Sequence, residues 1–316
     1  NTYELKLGVE GGANSYQVQP SPAPVMVDGK MMYEDGTKVT VKAISNPVMS
    51  FTNWSDGQSS SEISFVMDGD KELNGVFSPS DFIVGWDFYL PGNNGRAADF
   101  HAADNDAVAL VLRDADGNLT GWLDKNESEQ GGYEGRPAGV NWKTDGLGTW
   151  YWQTTVNAAA FTDIKVQGEM AYNYNAYTVY NVEASTDGEN WEKLGTVNIE
   201  GRKMWKTYEY ALPEKFNNQE NLSIRWIADK SSPVDGTQSN NDGIAMGPTY
   251  ITGTPKLIND GTAPVLLSHV PAEGTDNASI AGRIVLNFDE KVKVAEGVKA
   301  TLGEQQLEPT VAGKTV

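Results

Sequence analysis

Two histidines, His101 and His269, are the whole imidazole supply of this chain of 316 residues, which contains no cysteine. Thiolate zinc sites, cysteine nucleophiles and disulfides are thereby excluded. Histidine-based acid–base chemistry is nearly excluded too, because His101 and His269 stand in unrelated, loop-like segments. A Gly-x-Ser-x-Gly nucleophile signature is absent, and Gly11-Gly12 and Gly131-Gly132 lack the Lys-Ser/Thr of a phosphate loop. The 43 acidic residues supply carboxylate pairs by number alone. No segment sets two of them in the recognisable cleft that glycoside hydrolysis needs. The chain reads as non-catalytic.

Oxygen ligands for calcium are the remaining inorganic option. Asp114-Ala115-Asp116-Gly117-Asn118 offers oxygens at the first, third and fifth places of a calcium loop. Glycine falls fourth rather than sixth, however, and Lys125 stands where the loop needs a glutamate, so a hairpin turn is expected. Asp104 and Asp106 form a second acidic cluster, read as a solvated loop. For one structural calcium the candidate ligands are Asp87, Asp106 and Asp242.

Aromatic residues are the better lead. Nine tryptophans and thirteen tyrosines exceed what small sandwich cores require. Sugars present flat C–H faces that stack on rings, while amides, carboxylates and guanidinium groups bond the hydroxyls. Trp122, Tyr133, Arg136 and Trp142 fall in a loop-rich stretch, and Tyr172 and Tyr174 alternate with asparagines ahead of a strand. These six are the candidate ligand-binding residues. Trp86, Trp150, Trp152, Trp191 and Trp226 lie in apolar strand contexts and are expected in the core.

The elements that must carry these groups are strands. Tyr3–Val9 and Thr37–Ile44 alternate apolar and polar residues, and Asp68-Gly69-Asp70 reads as a hairpin between Ile63–Met67 and Leu73–Phe77. Ile83–Tyr89, Val108–Leu112, Trp150–Val156, Ile164–Val166, Thr178–Ala184, Leu222–Ile227 and Ile244–Ile251 are further strands, with turn clusters between them. No long segment has a helical period. The formal net charge of −19 repels phosphate backbones and anionic lipid, so nucleic acid and membrane surfaces are not expected partners. Nothing here is a transmembrane helix, since no run of eighteen apolar residues occurs.

Three resemblances organise the chain. Tyr33-Glu34-Asp35-Gly36-Thr37 with Phe51-Thr52-Asn53-Trp54-Ser55-Asp56-Gly57 and Met67-Asp68-Gly69-Asp70 resembles the internalin-type B-repeat, over residues 1–77. Gly85-Trp86-Asp87-Phe88, Trp150-Tyr151-Trp152-Gln153, Asp187-Gly188-Glu189-Asn190-Trp191 and Ile224-Arg225-Trp226 look like the galactose-binding-like jelly rolls of Bacteroidetes secreted proteins, over residues 78–258. Asp260-Gly261-Thr262-Ala263-Pro264 and Ile284–Val292 resemble the opening half of an SbsA-type bacterial Ig-like domain, over residues 259–316.

These resemblances imply an all-β chain: a small β-grasp-type repeat, an antiparallel jelly-roll β-sandwich, and a partial Ig-like β-sandwich expected to continue beyond Val316. They imply an exported, extracellular or cell-surface bacterial protein whose signal peptide is not in this sequence. The expected role is non-catalytic binding of polysaccharide or a cell-surface glycan through the jelly roll. The alternatives are a spacer presenting a distal domain, or part of a polysaccharide-degrading enzyme whose catalytic domain is expected beyond Val316.

Overall fold

The computed structural model describes residues 1–88, 97–102, 104–122, 124–125, 139–142, 148–172, 177–233, 244–256, 263–270, 284–288, 292, 294, 299–302, 305–307 and 309. The chain is all-β, with only two short 3-10 turns among the described residues. It divides into two compact units, Asn1–Asp81 together with Leu257–Val316, and Phe82–Lys256.

The first eight strands are β1 (Thr2–Glu10), β2 (Val18–Ser21), β3 (Val25–Val27), β4 (Lys30–Glu34), β5 (Lys38–Ala43), β6 (Met49–Trp54), β7 (Glu62–Val66) and β8 (Lys71–Pro79). One sheet has the order β3-β4-β1-β8-β6 and a second the order β2-β5-β7. Strands β1 and β8 are parallel, Leu5 beside Lys71 and Val9 beside Gly75. The pairing overturns the expected hairpin at Asp68-Gly69-Asp70. Strand β7 pairs with β5, while β8 crosses to the other sheet. A two-residue Asp-Gly hairpin needs positive φ at both turn residues, and neither Asp68 nor Gly69 has it. Asp70 instead accepts the Glu4 N–H at 2.8 Å, and Lys71 reaches Asp68 at 2.8 Å.

Alternation along β5 works as the sequence implies, with Val39, Val41 and Ala43 buried and Lys38 and Lys42 exposed. Leu5, Trp54, Met67, Leu73 and Phe77 of the same unit are buried as well. The Trp54 indole donates to the Ser60 carbonyl at 2.8 Å, so its one polar atom is satisfied. Tyr33, also buried, donates to the Pro22 carbonyl at 2.8 Å. Losing one such bond is expected to cost about 1 kcal/mol in Tyr33→Phe, measured by urea unfolding of the full chain.

The central unit is built from β9 (Phe82–Trp86), β10 (Phe100–His101), β11 (Val111–Arg113), β12 (Leu119–Trp122), β13 (Asp124–Lys125) and β14 (Gly139–Trp142). It continues with β15 (Tyr151–Val156), β16 (Phe161–Tyr172), β17 (Val179–Ser185), β18 (Glu192–Asn198), β19 (Lys206–Ala211), β20 (Leu222–Ala228) and β21 (Ile244–Pro255). Two sheets result. The six-stranded sheet has the order β12-β11-β15-β20-β17-β18, and every pairing in it is antiparallel. In the seven-stranded sheet β21 is the hub, pairing with β16 on one edge and with β9 and β14 on the other. The expected neighbourhood of β9 and β21 is present, with Trp86 beside Thr249 and Gly85 beside Tyr250. Glycine is required at position 85, since a Cβ there would lie 2.6 Å from the Tyr250 ring.

Side chains from both sheets form one core. Leu112, Trp152, Val182, Ile224 and Trp226 come from the six-stranded sheet, and Ile83, Val166, Met170 and Ile251 from the other. A polar link crosses it: the Trp226 indole on β20 donates to the Tyr208 hydroxyl on β19 at 2.8 Å. Burial pushes Tyr208 well above the ordinary tyrosine range, and Tyr33 and Tyr210 are raised by burial as well. Above the ordinary value of about 10 the unfolded chain loses these protons first, so stability is full below pH ~10 and falls as pH rises further. Unfolding midpoints at rising alkaline pH, compared with Tyr208→Phe, check this; the variant should show the shallower fall.

Four strands follow: β22 (Leu266–Val270), β23 (Val285–Phe288), β24 (Ala300–Leu302) and β25 (Gln305–Leu307). They pair antiparallel as β22 with β23 and β24 with β25. None of the helical segments described is long and apolar enough to cross a membrane.

Candidate functional site

Strand alternation divides the six-stranded sheet into a core face and an outer face. Register places the outward residues in rows across the strands. One row runs Val111, Gln153, Arg225, Glu183, and the next runs Arg113, Tyr151, Ile227, Asn181. A third holds Thr155, Ser223 and Ser185. This face is therefore polar and aromatic, while its reverse is apolar.

Its centre is a fixed charge pair under two rings. Arg225 donates from Nε to Glu183 Oε2 at 2.7 Å, and its Nη2 lies 2.6 Å from the same oxygen. The guanidinium carbon lies 4.0 Å from the Trp191 ring centroid and 5.1 Å from that of Tyr151. The two rings meet edge to face with centroids 6.4 Å apart. Planar delocalised charge suits such stacking, and the ion pair holds the plane in place.

Trp191 was expected in the core. It is partly exposed and lies on the outer face, because the Asp187-Gly188 turn delivers it at the start of β18 and its indole donates back to the Gly188 carbonyl at 3.0 Å. Trp150 is also only partly buried, packed against the core rather than within it. Trp86, Trp152 and Trp226 are fully buried, as expected.

At the β11–β15 side the face opens into a cleft of about 410 Å³, inside the roughly 300–1,000 Å³ of small-molecule sites. Arg113, Gln153, Thr154 and Thr155 line it together with Asp104 and Asp106. One of its polar atoms, Arg113 Nε, is buried without a hydrogen-bond partner, whereas the buried Thr154 hydroxyl shares the core-facing row with Ile224 and is not offered to the cleft. Such atoms cost stability unless something bonds them. Arg113 Nη1 is held by the Gly117 carbonyl at 2.8 Å, and the Gln153 amide is only loosely engaged, 3.2 Å from Thr155 Oγ1 and 3.5 Å from Ser223 Oγ. Val108, Ala109 and Val111 supply a small apolar wall. A guanidinium, an amide, hydroxyls and carboxylates around a modest apolar patch suit a polyhydroxylated ligand.

The residues singled out from sequence fall elsewhere. Tyr133, Arg136, Tyr174 and Asp242 lie outside the described residues. Trp122 ends β12 beside Val111, and Trp142 ends β14 beside Ile244, so their backbones belong to different sheets. Tyr172 is not a platform: it pairs with Ile244 in the seven-stranded sheet and is buried in the core. Its alternation with Asn173 resembles an exposed run only until the β16–β21 pairing is known. Asp87 is buried, its N–H bonded to Asp99 Oδ2 at 2.9 Å, while Asp106 is exposed at the cleft. Among the described residues no three acidic or histidine side chains gather as a metal site. Asp114 closes the β11–β12 hairpin, accepting the Asp116 and Asn118 N–H groups at 3.0 and 2.8 Å.

Residues 24–81 match the divergent InlB B-repeat domain. The match overlaps the segment read from sequence as 1–77 and begins at residue 24. No curated protein matches the chain. Among solved structures, TmCBM61 in complex with β-1,4-galactotriose is 14% identical, with a TM-score of 0.28, covering 48% of this chain and 86% of that one. The Clostridium thermocellum xylanase 10B CBM22-1–GH10 modules with xylohexaose are 13% identical at a TM-score of 0.29, covering 55% of this chain and 28% of that one. SGBP-B from a xyloglucan utilization locus in Bacteroides uniformis is 8% identical at a TM-score of 0.24, covering 70% of each. Likeness at this level fixes no ligand for this chain.

Proposed function

We propose that residues 82–256 form a carbohydrate-binding module that holds a polysaccharide or cell-surface glycan on the outer face of its six-stranded sheet. The carrying observation is the cleft, where the buried, unpartnered Arg113 Nε stands beside a loosely bonded Gln153. Sugar hydroxyls both donate and accept, so one ligand class satisfies both.

Around this module, the B-repeat-like segment and the C-terminal strands, read as part of an Ig-like domain, act as spacers in an exported bacterial surface protein. The parent protein is of the polysaccharide-handling kind found in Bacteroidetes. Affinity electrophoresis of the full chain through gels containing neutral plant and microbial polysaccharides tests the binding role. Retardation is expected, with Gln153→Ala weakening it by about tenfold, worth ~1.4 kcal/mol. No retardation by any polysaccharide would leave the spacer role alone standing.

A further inference from the structure

We infer that a second cleft, beside Trp191, receives another sugar unit of the same glycan chain, so that the ligand is a linear oligosaccharide rather than a single terminal sugar. This rests on the first cleft being a glycan site. The second cleft, about 310 Å³, is lined by Thr186 and Asn190 of the β17–β18 turn, Trp191 and Glu192 opening β18, and Lys215 and Gln219 of the segment before β20. It differs in kind from the first: an aromatic wall with amides, a hydroxyl and an ion pair around it.

Trp191 belongs to both regions. Its ring covers Arg225 of the outer face and also lines the second cleft. It cannot swing freely, since the indole N–H is held by Gly188 and the ring is packed on Arg225 and Tyr151. Asp187, also at this cleft, is a framework residue. Its carboxylate accepts from the N–H groups of Glu189 and Asn190 and from the Asn190 side-chain amide, at 2.9, 2.8 and 2.7 Å. These bonds hold its pKa far below the ordinary range, led by the Asn190 amide. Across the cleft, Glu192 and Lys215 close the wall as an ion pair, and the Gln219 amide is fixed by the Lys215 and Asn217 carbonyls at 3.2 and 3.1 Å. A preset wall of this sort loses little entropy when a ligand arrives.

Sheet geometry sets the length. The first cleft sits on β11 and β15 and the second at the turn joining β17 to β18, strands that are two to four places along the strand order. At ~4.8 Å per strand the clefts are roughly 10–19 Å apart, the reach of a trisaccharide to a pentasaccharide. Two clefts on one rigid sheet convert the second contact into an intramolecular one, so affinity should climb with chain length until both are filled.

Calorimetric titration of the full chain with β-1,4-linked xylo- and galacto-oligosaccharides of increasing length tests this. Pentasaccharide is expected to bind at least about tenfold tighter than disaccharide. The double variant Thr186→Ala/Gln219→Ala should lose that gain while binding disaccharide as the parent does. Equal affinity for the two lengths in the parent protein overturns the second cleft and leaves the first intact. So does a double variant, with unchanged unfolding midpoint, that binds pentasaccharide like the parent. Binding of no oligosaccharide together with no polysaccharide retardation overturns both readings.

Discussion

Trp226→Ala is expected to destabilise the central unit by about 3–5 kcal/mol, the usual range for deleting a buried aromatic side chain. Three features put it at the upper end. Trp226 is fully buried, on one of the two central strands of its sheet, opposite Trp152 on one neighbour and Val182 on the other. Its loss leaves a cavity that strands fixed on both sides cannot collapse into. The indole also provides a donor to the Tyr208 hydroxyl, so alanine removes one of the two side-chain partners of a buried oxygen on the opposite sheet. Trp226→Phe keeps most of the volume and removes the bond, and should cost roughly half as much. Urea unfolding of the full chain, followed by far-ultraviolet circular dichroism, separates the cases. The N-terminal module's own transition should stay in place. A loss below about 1 kcal/mol for the alanine variant would mean that the two sheets are not locked through this residue.

Much of this fold was legible because buried strands carry their signature locally. Thr37–Ile44 alternates, and β5 buries the alternate residues; Trp152 and Trp226 sit in apolar runs, and both are core. Several of the strands missed are edge strands. Glu192–Asn198 and Lys206–Ala211 close the two sheets at their margins, so one flank of each meets solvent and the sequence there is half polar. The hairpin expected at Asp68–Asp70 failed for a different reason: turn residues report a change of direction, not which strand is met next.

The site was less legible than the fold. Gln153, Glu183 and Arg225 are polar residues within mixed strands, and in one dimension each reads as the solvent half of an alternation. Only the antiparallel register aligns them in one row. Loop aromatics draw the eye because they lack an obvious packing role, yet Tyr172 is core and Trp191, set down as core, caps the outer face. One signal was available: Glu183 and Arg225 are each a long polar residue between apolar neighbours, and Gln153 follows the apolar Trp152. An arginine, a glutamate and a glutamine so placed need one another or a ligand.

That arrangement makes Arg225 the second place where a large effect is expected. Its side chain is 19% exposed and that of Glu183 is 15% exposed, so water screens the pair little. Arg225→Ala leaves the Glu183 carboxylate half-buried with no cation and removes the surface on which Trp191 and Tyr151 rest. Breaking such a pair from one side should cost about 3 kcal/mol. Removing both charges should cost less than removing one, because no charge is then left stranded. Arg225→Met with Glu183→Leu is therefore expected to be more stable than Arg225→Met alone. Arg225→Lys should not rescue, since an ammonium cannot lie flat between two rings and fork onto one oxygen. Glycan binding separates stability from function. The double variant, though folded, frees the Trp191 ring and should lose affinity for long oligosaccharides more than for short ones. A double variant that binds pentasaccharide like the parent would show that the charge pair serves the fold alone and that the rings keep their place without it.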